Sequence, residues 1–419
     1  MKGQQADGMF SPYRALDLTD EKGFLCGKFL GDLGADVIKI EPPEGDPSRN
    51  IGPFYHDIPD PERSLSWFAY NTSKRGITLN IKTKDGQEIF KQLVKSADFV
   101  LESFPPGYMD NLGLGYQALS EINPRIIMTS ITAFGQTGPY QDYKTSDLVA
   151  AAVGGLLFIC GDTDRAPLRC TAEQSFPQTG VQAAIGTVIA HYHRESTGEG
   201  QHVDVSIQEC IMPLSFYAQQ KWDAFRTHFH RLGQWLDRGT PDKPRNLQNV
   251  FPCKDGFVSW QVMTGDIGRR TRYLVEWMAE EGTAGSMKDL EWEKIDMDDI
   301  KPDELASWEE AFGNFFLTHT KDELYRESMK RGVILYPCSN VGDILENEQL
   351  AARDFWVDVK HPELDDSITY PGAPFMLNEP LWKISRRAPL IGEHNEEIYI
   401  KEMGFSKEKL ITLKQANII

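Results

Sequence analysis

Four histidines stand in two pairs, His191/His193 and His228/His230, and six cysteines are spread along the chain. These residue types are the usual ligands of zinc and redox sites. Two-residue spacing on a helix turns paired rings about 200° apart, and no Cys or Glu pattern completes a metal set. Solvated or packed side chains are the expected fate of these histidines. Cys26, Cys160, Cys170, Cys210, Cys253 and Cys338 include no CxxC, which suits reduced, buried thiols in a cytosolic protein rather than a disulfide framework. Gly23, Gly27 and Gly31 recur every fourth residue and line one helix face where a backbone or a ligand can approach closely. No GxGxxG follows the first strand and no Walker loop occurs, which disfavours nicotinamide and flavin chemistry.

The elements that must position such residues alternate. Residues 15–18 read as a strand, 21–33 as a helix and 36–40 as a strand ended by Pro42 and Pro43. The pattern continues with strand 77–81, helix 85–96 (Ile89, Phe90 and Leu93 on one face), strand 99–101 and strand 126–132. A long helix over 178–195 ends at the Gly198 turn, a strand follows over 201–207, and a polar helix covers 393–404. The fold class is α/β with a parallel sheet. The composition shifts over 222–332, with irregular stretches such as 238–241, so the expected division is 1–221, a smaller central domain 222–332, and a return segment 333–419. Trp222, Phe225, Phe229 and Trp235 invite an aromatic pocket, but core packing is the expected role of such rings.

The 419 residues carry 44 Lys+Arg against 62 Asp+Glu, a formal charge of −18, with 40% hydrophobic and 25% charged residues. This globular composition excludes wholesale disorder, and the acidic balance excludes nucleic acid and anionic lipid as partners. An anionic ligand then requires a local basic pocket. The longest weakly polar run, 148–160, is too short to span a bilayer. Residues 1–10 lack the basic and apolar regions of a secretory signal, so a cytoplasmic location is expected.

Several phrases stand in one order along the chain: GADVIKIEPP (34–43), GDPSR (45–49), SKR (73–75), ADFVLE (97–102), LGLGY (112–116), AFGQTGPY (133–140), TGEGQHVDVS (197–206), PGAPF (371–375) and RAPLIGEH (387–394). Through them the whole chain resembles the class III CoA-transferases, the family of formyl-CoA, carnitine and benzylsuccinate CoA-transferases. The resemblance implies a Rossmann-like large domain formed by both chain ends, a smaller central α+β domain and an interlocked dimer. It implies no tightly bound cofactor; a coenzyme A thioester is the substrate. In the family an Asp carboxylate attacks the acyl-CoA carbonyl and expels the CoA thiolate, giving a mixed anhydride. The thiolate then attacks the aspartyl carbonyl, releasing the first acid and leaving an aspartyl-CoA thioester from which an acceptor carboxylate receives CoA.

Carried over position by position, the family Asp falls four residues before Gly180, at Phe176, whose ring has no lone pair to attack a thioester. Glu173 substitutes only if the 171–178 loop has shifted register. The family's CoA-contacting Lys is kept as Lys144, while the following Tyr is Ser146. The His of the racemase branch also falls at Ser146, leaving Asp147 without its partner. No glycine-rich closing loop lies between 252 and 268. Leu79, Lys82 and Phe104 match CoA-holding positions, and Lys74 and Arg75 lie in the basic phrase before the third strand. Lys22 and Glu21 stand at a helix start, Ser103 replaces an Asn, and Pro42 and Asn111 replace basic residues.

The resulting expectation is a transferase subunit without its nucleophile. It works in a heteromer with a homologous Asp-bearing subunit, as in the branch that moves CoA from succinyl-CoA to benzylsuccinate. The alternatives are a self-sufficient homodimer using Glu173, and a binding protein that senses acyl-CoA without chemistry.

Overall fold

The structure is a computed structural model and describes residues 8–215, 217–228, 231–237, 245–379 and 381–419. Phe229, His230 and the 238–241 stretch lie outside the described residues. The chain divides into two compact units, one of Met1–Phe158, Arg169–His228 and Gln349–Ile419, the other of Ile159–Leu168 and Phe229–Glu348. Residues 159–168, 222–228 and 333–348 therefore fall on the other side of the borders expected from sequence.

The first unit is built on β1 (Arg14–Leu18), β2 (Asp36–Glu41), β3 (Lys74–Thr78), β4 (Phe99–Glu102), β5 (Ile127–Thr132) and β6 (His202–Ser206). They form one sheet in the order β3-β2-β1-β4-β5-β6, with every pairing parallel. Both faces are covered, so Ala15 and Leu16, neighbours that point to opposite faces, are each fully buried. The order reverses between β1 and β4, the place where such sheets open a crevice at their strand ends.

Helix α1 (Phe24–Asp32) packs on β1 and β3 through the glycine stripe. A Cβ on Gly27 would collide with the Asp17 carboxylate, and one on Gly31 would meet the Ser73 carbonyl at 2.9 Å. Close packing accounts for those glycines. Helix α2 (Lys84–Val94) is capped by Thr83, whose hydroxyl accepts the Gly86 N–H, and buries Ile89, Phe90 and Leu93. Helices α3 (Asp147–Val153) and α4 (Ser175–Thr197) lie on the same face as α1, where Cys26, Leu30, Ala150 and Ala183 share one apolar cluster, and α2 covers the opposite face. Strands β7 (Trp356–His361) and β8 (Asp366–Pro371) form an antiparallel hairpin in the same unit.

The third strand runs from Lys74 to Thr78 rather than over 77–81, because Val37 and Lys74 pair across β2 and β3. The long helix begins at Ser175, five residues before Gly180. The second unit holds an antiparallel sheet of three strands, Val250–Cys253, Gly256–Ser259 and Tyr336–Pro337, against helices Arg269–Glu280, Pro302–Phe316 and Lys321–Arg331. Its core is aromatic, with Trp260, Trp277, Trp292, Trp308 and Phe312 buried.

Candidate functional site

A cavity of about 600 Å³ opens at the C-terminal ends of β1 to β4, across the point where the strand order reverses. Its size suits a nucleotide-like ligand. Leu18, Ile40, Leu79 and Ile81 supply aliphatic walls, and the Phe104 ring stacks on Tyr108 with centroids 4.7 Å apart. Phe104 is held from below, since its N–H donates to the Glu102 carboxylate at 2.7 Å. Ser103 ties the loop after β4 to the loop after β1: Asp20 N–H donates to Ser103 Oγ and the Ser103 hydroxyl donates to Asp20 Oδ1, each at 2.8 Å.

The charges at this cavity are mostly acidic. Asp20 is paired with Lys22, and Glu41 is gripped by Arg49 through both oxygens at 2.6 and 2.8 Å. The guanidinium of Arg49 lies 3.8 Å over the Trp67 ring. Among the described residues Glu21 accepts the Ser48 hydroxyl, at 2.6 Å, and has no ion-pair partner, while Glu44 is exposed and Lys82 is the cation on the lining. Apolar faces and one ammonium fit an adenine and a phosphate; Glu21 and Glu44 oppose a polyanion.

Of the residues expected from sequence, Leu79, Lys82, Ser103 and Phe104 are brought together here, with Pro42 and Glu21. Lys22 stands beside them, engaged by Asp20. Lys74 and Arg75 do not reach the cavity, a correction with a plain cause. Lys74 is fully buried, and its ammonium donates to Asp17 Oδ2 at 2.8 Å, Asn71 Oδ1 at 2.8 Å and the Phe24 carbonyl at 2.9 Å. Burial pulls Lys74 below the usual lysine range; for Asp17 the Lys74 and Lys39 charges outweigh burial and hold the carboxyl low. Arg75 is consumed by Asp36, Glu397 and Glu402. Lys144 is exposed on the loop before α3, and Asn111 is exposed as well; neither lines the cavity.

The Phe176 position lies in the first turn of α4. Its ring is 5% exposed, in the apolar cluster with Cys26, Leu30, Ile131 and Ala183. Asp147 ties down this helix start, accepting the N–H groups of Ser175 at 2.7 Å, Phe176 at 3.1 Å and Gln174 at 3.3 Å. Glu173, one residue outside that turn, is exposed. Its carboxyl is pushed up by partial burial and then by the Asp147 and Glu21 charges.

Sequence reasoning missed Glu102, which is almost wholly buried and raised by that burial to about 7. A carboxylate closing the apolar strand phrase FVLE was its signal. The described histidines of the two pairs, His191, His193 and His228, serve local roles. His191 meets Tyr13 edge to face with centroids 4.5 Å apart, His193 bonds Gln201 at 2.8 Å, and His228 stacks on Trp222 with centroids 4.6 Å apart. Among the described residues no group of three or more His, Cys, Asp or Glu is placed to hold a metal. Trp222 and Phe225 are exposed in this chain rather than packed in a core, on the short helix Ala218–Phe225 that buries no residue, and Trp235 is exposed on the short strand Trp235–Asp237. None of the six cysteines forms a disulfide among the described residues, and burial raises Cys26 to about 12. No helix among the described residues is long and apolar enough to cross a membrane.

Comparison with known proteins agrees with this geometry. Residues 14–395 match the model of CoA-transferase family III. The succinyl-CoA:(R)-benzylsuccinate CoA-transferase subunit BbsE of Thauera aromatica is 36% identical over 403 residues, 94% of each chain. A formyl-CoA:oxalate CoA-transferase of Streptomyces avermitilis is 31% identical, covering 97% of this chain and 98% of that protein. The crystal structure of a CAIB/BAIF family protein from Brucella suis superposes with a TM-score of 0.80 at 28% identity, covering 94% of this chain and 99% of that one. With the parallel sheet, the cavity at its strand ends and the match along nearly the whole chain, the protein belongs to CoA-transferase family III.

Proposed function

We propose that this chain is the nucleophile-lacking subunit of a heteromeric CoA-transferase that moves CoA from succinyl-CoA to a carboxylic acid of the benzylsuccinate type. The observation that carries the reading is Phe176. At the position that the family resemblance assigns to the nucleophile stands an apolar ring, buried in the first turn of α4. The nearest carboxylate bonded there, Asp147, is committed to three backbone N–H groups, so it is not placed to take over the attack. A homologous partner chain supplies the Asp, and the two chains form the interlocked dimer of the family in the cytoplasm. Lys22, Leu79, Lys82, Ser103 and Phe104 are the residues of this chain that would hold CoA. The 36% identity to a subunit named for a benzylsuccinate CoA-transferase supports the substrate pair.

Native mass spectrometry of the complex purified from its source tests this directly. A second chain of similar size bearing the Asp is expected, with CoA exchange requiring both chains. Full exchange by this chain alone would overturn the reading.

One observation favours a second reading. The Glu173 carboxyl is raised and interacts with Glu21, which lines the cavity. If Glu173 is the nucleophile, the isolated chain exchanges CoA and Glu173→Gln abolishes the exchange.

A further inference from the structure

With a formal charge of −18, the protein offers an anion only local basic surfaces. One of them lies between hairpin β7–β8 and the segment 384–394, which enclose a cleft of about 500 Å³. Lys360, Arg386, Arg387 and His394 line it, against Asp358 and Glu393.

The walls of the cleft are clamped by ion pairs. Arg387 donates to both oxygens of Glu393 at 2.9 Å and pairs with Glu363 at 2.6 Å. Glu363 also meets His361 Nδ1 at 2.9 Å, and His361, fully buried, meets the Tyr370 hydroxyl at 2.9 Å. Asp358 accepts the Thr369 hydroxyl at 2.7 Å. Arg387 and Glu393 are thus spent on each other. Lys360 and Arg386 are exposed, and neither has a carboxylate within ion-pair distance among the described residues.

The contacts of His394 set the remaining chemistry. Gly76 N–H donates to His394 Nδ1 at 3.1 Å. A neutral imidazole accepts at one nitrogen only, so Nε2 carries the proton. Yet Nε2 lies 3.1 Å from Arg386 Nη1, which is also a donor and does not lose its proton. Two N–H donors therefore stand 3.1 Å apart in the cleft lining, and neither nitrogen can accept from the other. An oxyanion in the cleft beside the pair would accept from both, and Lys360 lines the same cleft.

We infer that this cleft is a binding site for a phosphate group, held by His394 Nε2–H, the Arg386 guanidinium and the Lys360 ammonium. Two full cations and a neutral N–H lining one cleft match a tetrahedral dianion better than a single carboxylate. The volume admits a phosphorylated small molecule as readily as free phosphate. His394 is held below the usual histidine range by burial; Arg386 and Arg75 add to the effect, and Glu393 and Glu397 oppose it. A bound dianion raises it. The inference does not depend on the CoA reading, which concerns the cavity at the ends of β1 to β4.

The test is calorimetric titration of the full-length chain with inorganic phosphate, adenosine 3′,5′-bisphosphate and succinate, with the His394 titration followed by NMR. Saturable phosphate binding is expected, with His394 titrating at higher pH in its presence. Arg386→Ala and Lys360→Ala, both exposed positions that leave the fold intact, each weaken it about tenfold or more, the scale of a charge-assisted hydrogen bond. Tighter binding of the bisphosphate, still lost in Arg386→Ala, identifies a nucleotide source; equal binding identifies phosphate itself. Three results would overturn the site: no saturation, binding unchanged by both substitutions, or binding abolished by Lys82→Ala in the other cavity. Succinate binding as tightly as phosphate would overturn the ligand class.

Discussion

The backbone N–H of Phe176 donates to the Asp147 carboxylate at 3.1 Å, so the first residue of α3 caps the start of α4. One carboxylate thereby joins two helices 28 residues apart in sequence and satisfies N–H groups that the helix itself leaves unpaired.

Removing that carboxylate should cost stability first. Asp147→Ala is expected to destabilise the protein by about 2 kcal/mol, the upper end for a helix cap, and Asp147→Asn by about half as much because it keeps an acceptor. Urea unfolding followed by circular dichroism measures both. An unchanged midpoint for Asp147→Ala would show that the cap carries no weight.

Restoring the family residue should not restore the chemistry. Phe176→Asp removes a buried ring at a cost of about 3 to 5 kcal/mol and sets a new carboxylate beside Asp147. The variant chain, assayed alone, is expected to melt earlier and to exchange no CoA. Rapid exchange by a folded variant would mean that the rest of the site had survived.

Glu102 gives the protein a pH dependence of known sign. Burial raises its folded pKa from 4.5 to about 7, so the folded state binds more protons than the unfolded state between those values. The contribution of Glu102 to stability is present below about pH 4.5 and is lost as pH rises through 7, a change of about 3 kcal/mol. Glu102→Gln should remove this component, leaving a flatter stability profile between pH 4.5 and 7.5. Identical profiles for wild type and variant would refute the assignment.

Lys74 and Glu21 separate structure from ligand binding. Lys74→Met removes the nearer of two counter-charges of the buried Asp17, leaving Lys39 at 3.8 Å, and is expected to cost about 3 kcal/mol while leaving CoA affinity per folded molecule unchanged. Glu21→Gln removes an opposing charge at the cavity and should strengthen CoA binding about threefold at low salt, whereas Lys82→Ala weakens it by a similar factor. Calorimetry at two ionic strengths checks both signs. Weaker binding by Glu21→Gln would place CoA elsewhere.

Much of the sheet was legible because alternating apolar residues and short βα turns are local signals. Residues 36–40 and 99–101 were read as strands, and both lie within observed strands. Lys74 defeated the same reasoning. A lysine looks like surface until its partner is known, and Asp17 lies 57 residues away. The Asp147 cap and the meeting of His394 with Gly76, 318 residues apart, were hidden for the same reason.

The sequence by itself determined the family, through ordered phrases from residue 34 to 394, and placed a phenyl ring where the family resemblance puts its nucleophile. The tertiary structure decided which charges are available. It spent Lys74, Arg75 and Asp147 on partners inside the fold and left Lys82, Lys360 and Arg386 facing cavities. A charge taken out of water must find its counter-charge or hydrogen bond nearby. Long-range packing supplies that neighbour, and the local pattern of residues does not specify it.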